Sequence, residues 1–138
     1  MTGPEFLDTN ILVYAYDPSH PGKQSIAQKL VRRAAAGAAI ISTQVLAEFA
    51  VTLLHKLNPP ASHEDVIDAL DALSPIKLIA PDRNTVRRAL DARAQYQIHF
   101  WDAMIVASAE RARCTRIWSE DLNPSQLYFQ IPVQNPFH

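Results

Sequence analysis

Short apolar runs separated by helical patterns are the feature of this sequence that most limits its fold. The run at Ala38 to Ser42 (AAIIS) has no polar alternation, which is typical of a strand buried on both faces of a sheet. Further short strands are predicted at the start of 6–16 and at 76–80, 116–119 and 130–133. Strands that alternate with helices favour an α/β fold with a mostly parallel sheet flanked by helices.

Apolar residues that recur at helical spacing predict the intervening helices. These helices cover residues 24–36, 43–57, 62–73, 83–95 and 100–113. Ser42 or Thr43 is predicted to cap the second helix, and Ser62 with Asp65 gives the third a capping-box pattern. The apolar stretch at 11–16 shows no clear helical or strand period.

Length and composition predict one cytoplasmic domain that covers residues 1–138. Residues 1–5 lack the apolar pattern of a buried strand and are typical of an added or altered start. No apolar run approaches the ~20 residues that span a membrane, and no secretory leader pattern opens the chain. The single cysteine, Cys114, cannot form an internal disulfide, which fits a reducing compartment.

The charge balance gives no sign of a protein that binds nucleic acid through its overall charge. Thirteen Lys and Arg residues stand against 14 Asp and Glu residues, for a net charge of −1. Nine of the basic residues are arginines, whose shape suits bidentate phosphate contact, although arginines on solvated helix faces are the more common case. One bound divalent cation would change the formal charge from −1 to +1.

Four acidic residues have local settings that differ from a solvated, charged face. Asp8 ends the predicted first strand, Glu48 has three apolar residues on each side, and Asp102 begins a mostly apolar helix. Asp121 stands just past the end of another predicted strand. A buried carboxylate must be paired, hydrogen-bonded or coordinated to a metal. No Arg or Lys lies within five residues of the first three acids.

Long-range ion pairs, separate cap or core-polar roles, and a shared metal site are the explanations open for these acids. Ligands of parallel sheets bind outside the carboxyl ends of the strands, which is where two of the four acids are predicted to lie. Carboxylates together with water are the oxygen ligands that suit Mg²⁺ or Mn²⁺. Acids that converge also repel one another, so at least one should have a raised pKa in the metal-free protein.

These residues lie in motifs that resemble those of the PIN-domain ribonucleases, specifically the VapC-type toxins of prokaryotic toxin–antitoxin modules. The matching segments are LDTNILV (7–13), STQVLAEF (42–49), FWDAMI (100–105), SEDLN (119–123) and NPF (135–137). Their order and spacing fit from Phe6 to Phe137, so the resemblance covers nearly the whole chain. Any one acid is a weak signal, whereas the four in these settings are specific.

The resemblance implies a PIN-like three-layer α/β domain in which Asp8, Glu48, Asp102 and Asp121 converge in a cleft. It further implies Mg²⁺- or Mn²⁺-dependent hydrolysis of RNA that leaves a 5′-phosphate and a 3′-hydroxyl, a homodimer, and inhibition by a cognate antitoxin protein. We predict that Asp8 and Asp102 bind the metal directly and that Asp121 joins directly or through water. Glu48 would orient or deprotonate the attacking water, or complete a second metal site.

Polar residues next to the acids are candidates for supporting roles. Thr9 and Ser119 carry hydroxyls that can hydrogen-bond carboxylates or phosphate, and turn or cap roles are open for Thr9 and Asn10. Asn123 lies two residues beyond Asp121, where a loop role is as well supported as a site role.

Four further residues near the acids have weaker predicted roles. Gln44 is four residues before Glu48, on the same helix face, and is a weaker candidate for contact with RNA. His99 is predicted to be a helix-start or surface residue. Trp101 and Trp118 flank two of the acids, and their apolar surroundings favour packing in the core beneath the site over stacking on bases.

Two other functional classes fit parts of the sequence. Phosphatases of the haloacid-dehalogenase type and receiver domains also place an aspartate after the first strand. The first class requires a second aspartate where this chain has Asn10, and the second requires a late lysine, although Lys77 is the last one here. A catalytically silent PIN-like binding module is the other alternative, and the presence of all four acids disfavours it.

Overall fold

Strands and helices alternate through residues 3–138, the part of the chain that the computed structural model describes. The strands are β1 (Glu5–Leu7), β2 (Ala39–Ser42), β3 (Lys77–Ile79), β4 (Ile117–Trp118), β5 (Leu127–Tyr128) and β6 (Ile131–Gln134). The helices are α1 (Thr9–Tyr16), α2 (Pro21–Ala35), α3 (Thr43–His55), α4 (His63–Ala72), α5 (Arg83–Tyr96) and α6 (Phe100–Arg111).

The strands form one sheet in the order β3-β2-β1-β4-β6-β5. All neighbours pair in parallel except β5 and β6, which are antiparallel. Strand β1 lies between β2 and β4, with Phe6 opposite both Ile40 and Ile117. Every residue of β2 is buried, so both faces of the sheet are covered. The predicted α/β fold with a mostly parallel sheet flanked by helices is therefore confirmed.

Helix α6 is the most deeply packed helix, because all residues from Ala103 to Ala109 are buried. A helix that is apolar on every side belongs in the interior of a domain, and this pattern explains the run AMIVASA in the sequence. Asp102 immediately precedes that run, at the end of the helix that faces the carboxyl edge of the sheet. Across residues 3–138, every helix is too short or too polar to cross a membrane.

Three local features differ from the sequence prediction. The stretch without a clear period forms α1 directly after β1, and α2 begins at Pro21 rather than at Gln24, because proline is well suited to the first turn of a helix. Ile67, an apolar residue of the predicted third helix, is 43% exposed, although apolar residues that recur at helical spacing are expected to face the core. The sequence does not predict strand β5, because its two residues are too few to show a period. The turn from β5 to β6 places Phe129 and Gln130 at positive φ and lacks the glycine that usually marks such a turn.

The predicted added or altered start at 1–5 falls partly on residues 1–2, which lie outside the described residues. Glu5 is the first residue of β1, and Pro4, which precedes the strand, is hydrogen-bonded to the segment before β4. The carbonyl of Pro4 accepts a hydrogen bond from the Thr115 N–H at 2.8 Å, and Glu5 is paired with Ala39 in β1. The Glu5 carboxylate also accepts a hydrogen bond from the Trp118 indole at 3.0 Å.

The hydroxyl of Ser42 caps helix α3, which carries Glu48, and so links the end of β2 to the site. Its Oγ accepts the Val45 N–H at 3.2 Å, and the side chain is fully buried. We expect Ser42→Ala to lower the free energy of unfolding by about 1–2 kcal/mol, because the amide of Val45 would have no water to replace its acceptor. Urea unfolding followed by circular dichroism measures this loss.

Ser62 provides the matched control, because its Oγ caps α4 by the same type of bond, to the Asp65 N–H at 3.1 Å, at an exposed position. Ser62→Ala should lower the free energy of unfolding by a smaller amount, about 0.5–1 kcal/mol, since water can solvate the freed amide. Equal losses in the two variants would show that burial of the Ser42 cap contributes nothing.

Candidate active site

One cavity of about 820 Å³ at the carboxyl edge of the sheet is lined by all four predicted acids. Asp8 follows β1, Glu48 lies on α3, Asp102 lies in the first turn of α6, and Asp121 lies in the loop after β4. Because β1, β2 and β4 are parallel neighbours, their carboxyl ends meet at this edge. The structure therefore brings together acids that are up to 113 positions apart in the sequence.

Asp8 is the buried centre of this cavity, with only 5% of its surface exposed. Its Oδ1 accepts the Thr9 N–H at 2.7 Å, which makes it the N-cap of α1, and its Oδ2 accepts the Ser119 hydroxyl at 2.7 Å. Burial raises the pKa of Asp8 from 3.8 to about 7, although these two hydrogen bonds favour the charged form. The charges of Asp121 and Asp102 raise this pKa further.

The predicted rise in the pKa of at least one acid is confirmed, but its main cause differs from the predicted one. Repulsion among the four acids was expected to dominate, whereas for Asp8 the loss of water on burial is the largest contribution. The pKa of Asp102 is also raised, first by burial and then by the charge of Asp121, while His99 opposes the shift.

Ser119 connects Asp8 to the loop that carries Asp121. Its fully buried hydroxyl donates to Asp8, and its oxygen accepts the backbone N–H groups of Asp121 at 3.1 Å and Leu122 at 3.2 Å. One side chain thus fixes both the orientation of a buried carboxylate and the shape of the following turn. This supporting residue contacts the acids as the sequence predicts.

Thr9 and Gln44 hold the carboxylate of Glu48 from two sides. The Thr9 hydroxyl donates to Glu48 Oε1 at 2.9 Å, and Gln44 Nε2 lies 3.4 Å from the same oxygen. Gln44 Nε2 also donates to the backbone carbonyl of Trp101 at 3.1 Å. Within the described residues, Glu48 Oε2 has no hydrogen-bond partner, so this oxygen is available to a ligand or a water molecule.

Asn10 and Glu120 position the loop on which Asp121 lies. Asn10 Nδ2 donates to Asp121 Oδ2 at 3.2 Å, and its Oδ1 accepts the Glu120 N–H at 3.2 Å. The Glu120 carboxylate in turn accepts the Tyr14 hydroxyl at 2.7 Å and Lys23 Nζ at 2.6 Å. Sequence reasoning missed Glu120, because its contacts with Tyr14 and Lys23 join residues that are far apart in the sequence.

None of the four acids forms an ion pair with a Lys, Arg or His side chain within residues 3–138. Other acids of the fold do, including Glu5, Glu110 and Glu120. Among the residues that the structure describes, no three His, Cys, Asp or Glu side chains are already grouped tightly enough to hold a metal ion. Within the described residues, the cavity therefore contains carboxylates that no ion pair neutralises and that are not grouped tightly enough to form a closed cage.

The predicted packing of Trp101 in the core is wrong, whereas that of Trp118 is confirmed. Trp101 is 59% exposed and lines the acid cavity, while Trp118 is 8% exposed. The reason is their place in the fold: Trp118 lies in the central strand β4, but Trp101 precedes the buried stretch of α6 and projects past it. Its neighbour Phe100 is the one that packs against the core.

A second cavity of about 500 Å³ adjoins the first, because Asp102 and Asp121 line both. It also contains Arg93, His99 and Asn123. His99 immediately precedes α6, as predicted. Asn123 lies outside the first cavity, and its Oδ1 accepts the backbone N–H of the nearby Ser125 at 2.9 Å, which is a loop role.

The sequence pattern of the PIN domain matches residues 6–130. The chain belongs to the PIN-domain family. This match confirms the resemblance seen in the motifs and excludes the phosphatase and receiver-domain alternatives. No curated protein matches the chain by sequence.

Solved structures share the fold of this PIN domain over nearly its whole length. A toxin–antitoxin complex from Klebsiella pneumoniae aligns with a TM-score of 0.70 and 20% identity, covering 96% of this chain and 97% of that one. VapBC2 from Rickettsia felis, bound to a DNA fragment from its promoter, gives 0.68 and 19%, covering 95% and 97%. VapC20 from Mycobacterium tuberculosis gives 0.65 and 15%, covering 85% and 89%.

The raised pKa of Asp8 predicts a stability that falls as pH rises. Between about pH 4 and pH 7 the unfolded chain loses this proton while the folded PIN domain keeps it, so the folded state binds more protons and is progressively destabilised. The decline, on the order of 4 kcal/mol, should level off above about pH 7. In Asp8→Asn this pH-dependent loss of stability should disappear, so the variant should be the more stable protein at pH 8. The free energy of unfolding, measured by urea unfolding with a chelator present from pH 4 to 8, tests this.

The amide of Asp8→Asn retains only one of the two accepted hydrogen bonds, so near pH 4 the variant should be less stable than the natural sequence by about 1 kcal/mol. Asp68→Asn is the control, because Asp68 is an exposed acid on α4. Parallel stability curves for the natural sequence and Asp8→Asn would contradict the assignment of the raised pKa.

Proposed function

We propose that this PIN domain, taken as one unit over 1–138, is a metal-dependent endoribonuclease and the toxin of a toxin–antitoxin pair. The observation that carries the proposal is the convergence of four carboxylates without cationic partners in one cavity. Such an arrangement lowers the free energy of unfolding of the metal-free protein at neutral pH, because the raised pKa of the buried Asp8 means that its charged form is less favourable in the folded state than in the unfolded state. Strain of this kind is typical of functional sites.

The chemistry of the donors fits Mg²⁺ or Mn²⁺, which prefer carboxylate and water oxygens. Asp8, Asp102 and Asp121 would hold the ion, and small adjustments of the exposed Asp121 would complete the arrangement. When bound, the ion neutralises charge on the phosphodiester and lowers the pKa of a water molecule. Asp8 must lose its proton to act as a ligand, so metal affinity should rise with pH through about 7.

The remaining contacts support specific roles for the other residues of the site. Ser119 and the Thr9 N–H hold the Asp8 carboxylate in one orientation, so that little ordering is required on binding. Thr9 and Gln44 occupy Oε1 of Glu48, which leaves Oε2 to orient or deprotonate the attacking water. Asn10 restrains Asp121 at the edge of the cavity.

Positive side chains beside the acids support an RNA substrate. Lys56 lines the first cavity and Arg93 lines the second, so each of the two cavities that share Asp102 and Asp121 contains a cation. Phosphates on either side of the cleaved bond would contact them, while the bound ion compensates the acids themselves. Among the structural neighbours, VapC20 is described as a toxin that cleaves the sarcin–ricin loop.

The toxin assignment rests on the structural neighbours, several of which are toxin–antitoxin complexes. We propose that a cognate antitoxin restrains the nuclease, that the protein acts as a homodimer, and that both act in the cytoplasm. A basic side chain of the antitoxin would pair with the uncompensated acids and compete with metal and RNA. A catalytically silent binding module is the alternative that the cleavage experiment tests.

Asp8→Asn and Asp102→Asn should each abolish RNA cleavage that depends on Mg²⁺ or Mn²⁺, with a loss of at least about a hundredfold, because each removes an anionic ligand at nearly constant size. Cleavage of a labelled single-stranded RNA in Mn²⁺ and in chelator measures this. The products of the natural sequence should carry 5′-phosphates. Undiminished cleavage by either variant would overturn the mechanism.

Asp68→Asn is the control for cleavage too, since this exposed acid is remote from both cavities. Mn²⁺ should raise the melting temperature of the natural sequence and of Asp68→Asn, and much less that of Asp8→Asn. A silent binding module would show the same metal-induced shift without cleavage.

Expression of the chain alone should arrest bacterial growth, and coexpression of the neighbouring small open reading frame should restore it. Asp8→Asn should remove the arrest at equal protein level, because toxicity requires cleavage. Growth curves and immunoblots measure both effects. Harmless expression of a chain that cleaves RNA in vitro would leave the nuclease and remove the toxin assignment.

A further inference from the structure

We propose that Trp101 is a stacking platform for an RNA base next to the cleaved phosphate, an inference that rests on the proposed function. The starting observation is that this side chain is 59% exposed although it is the largest apolar group beside the acids. No other described tryptophan is exposed, since Trp118 is buried. Packing in the core does not explain an exposed aromatic ring beside a site that is proposed to bind RNA.

The position of Trp101 ties it to the acids. It directly precedes Asp102 in α6, so their Cα atoms are about 3.8 Å apart. Gln44 donates to the Trp101 carbonyl and approaches Glu48 with the same nitrogen, which links the backbone of Trp101 to a second acid. A phosphate held near Asp102 through the bound ion would therefore have its adjoining nucleotide close to the indole ring, because both residues line the same cavity.

Neighbouring side chains hold the ring and extend its apolar surface. Phe100 packs against Trp101 edge to face, with ring centroids 5.2 Å apart, and Phe100 itself contacts the core. The same cavity is walled by Val13, Val51 and Leu57, and Val51 is 52% exposed. The cavity thus combines an acidic end with an apolar wall.

This combination matches single-stranded RNA. Unpaired bases present apolar faces that stack on aromatic side chains, whereas the bases of a duplex are already stacked. Every base has such a face, so the platform would position the strand while tolerating different sequences. Lys56, on the rim of this cavity, provides a cation for the backbone of the same nucleotide segment.

Intrinsic fluorescence offers a direct test, because the chain has only two tryptophans and one is buried. Glu48→Gln protein in Mg²⁺ would be titrated with a single-stranded RNA that the natural sequence cleaves, because this variant keeps Asp8, Asp102 and Asp121 while it removes the carboxylate proposed to activate water. Stacking should quench the emission of Trp101. The double variant Glu48→Gln/Trp101→Phe should lose this quenching, and an RNA whose abasic position lies beside the cleavage site should bind without causing it.

Binding is followed separately by the anisotropy of labelled RNA. RNA that binds while the emission of Trp101 is unchanged would overturn the proposal. A Trp101→Ala protein that changes from dimer to monomer in sedimentation, with no quenching in the parent, would also overturn it and would identify Trp101 as a subunit contact.

Cleavage kinetics separate this proposal from the proposed function. Trp101→Ala should raise KM about tenfold with little change in kcat, and Trp101→Phe should retain most of the affinity. Leu90→Ala, at an equally exposed residue of α5 outside both cavities, should leave KM unchanged. If the natural sequence cleaves no RNA, the proposed function fails. If it cleaves and Trp101→Ala has an unchanged KM, only the stacking proposal fails.

Discussion

The carboxylate of Asp8 is buried where strand β1 passes into helix α1, and the surrounding structure is arranged to accommodate it. One oxygen accepts the amide that begins the helix, and the other accepts a hydroxyl from a residue 111 positions away. The second bond requires β1 and β4 to be neighbours in the sheet, which they are. The side chains that follow Asp8 then extend the same network, since Thr9 contacts Glu48 and Asn10 contacts Asp121. Three consecutive residues thereby reach elements from across the sequence.

The four cavity acids lack the ion-pair partners that acids elsewhere in the described fold have. Glu5, Glu110 and Glu120 each lie within ion-pairing distance of an arginine or lysine. In the described part of the chain, Asp8, Glu48 and Asp121 accept hydrogen bonds only from hydroxyl, amide or backbone donors, and the Asp102 carboxylate accepts none. Neutral donors orient a carboxylate without cancelling its charge, so the site retains a strong demand for a cation. That demand is the basis of the metal binding and of the inhibition by a basic side chain that we propose.

The sequence predicts much of this arrangement because its signals are local. An acid surrounded by apolar residues must be buried and satisfied, and the ends of parallel strands share an edge, so the positions of Asp8 and Glu48 follow. The orientation of Trp101 does not follow, because an apolar residue at a helix start can face the core or a cavity with the same local pattern. The role of Glu120 depends on Lys23, a contact across 97 positions that no local pattern encodes. Strand β5 was missed since two residues carry no periodicity.

The span between Asp8 and Ser119 also has a consequence for how the protein is made. Ribosomes add roughly 5–20 residues per second, so about 6 to 22 seconds pass between synthesis of the carboxylate and synthesis of its hydroxyl partner. Until then, β1 has no β4 beside it, and the loop that carries Asp121 does not exist. The nascent chain therefore lacks a complete acid cavity through most of its translation. The cavity arises late and as a unit, once Asp121, the last of its four acids, has been added.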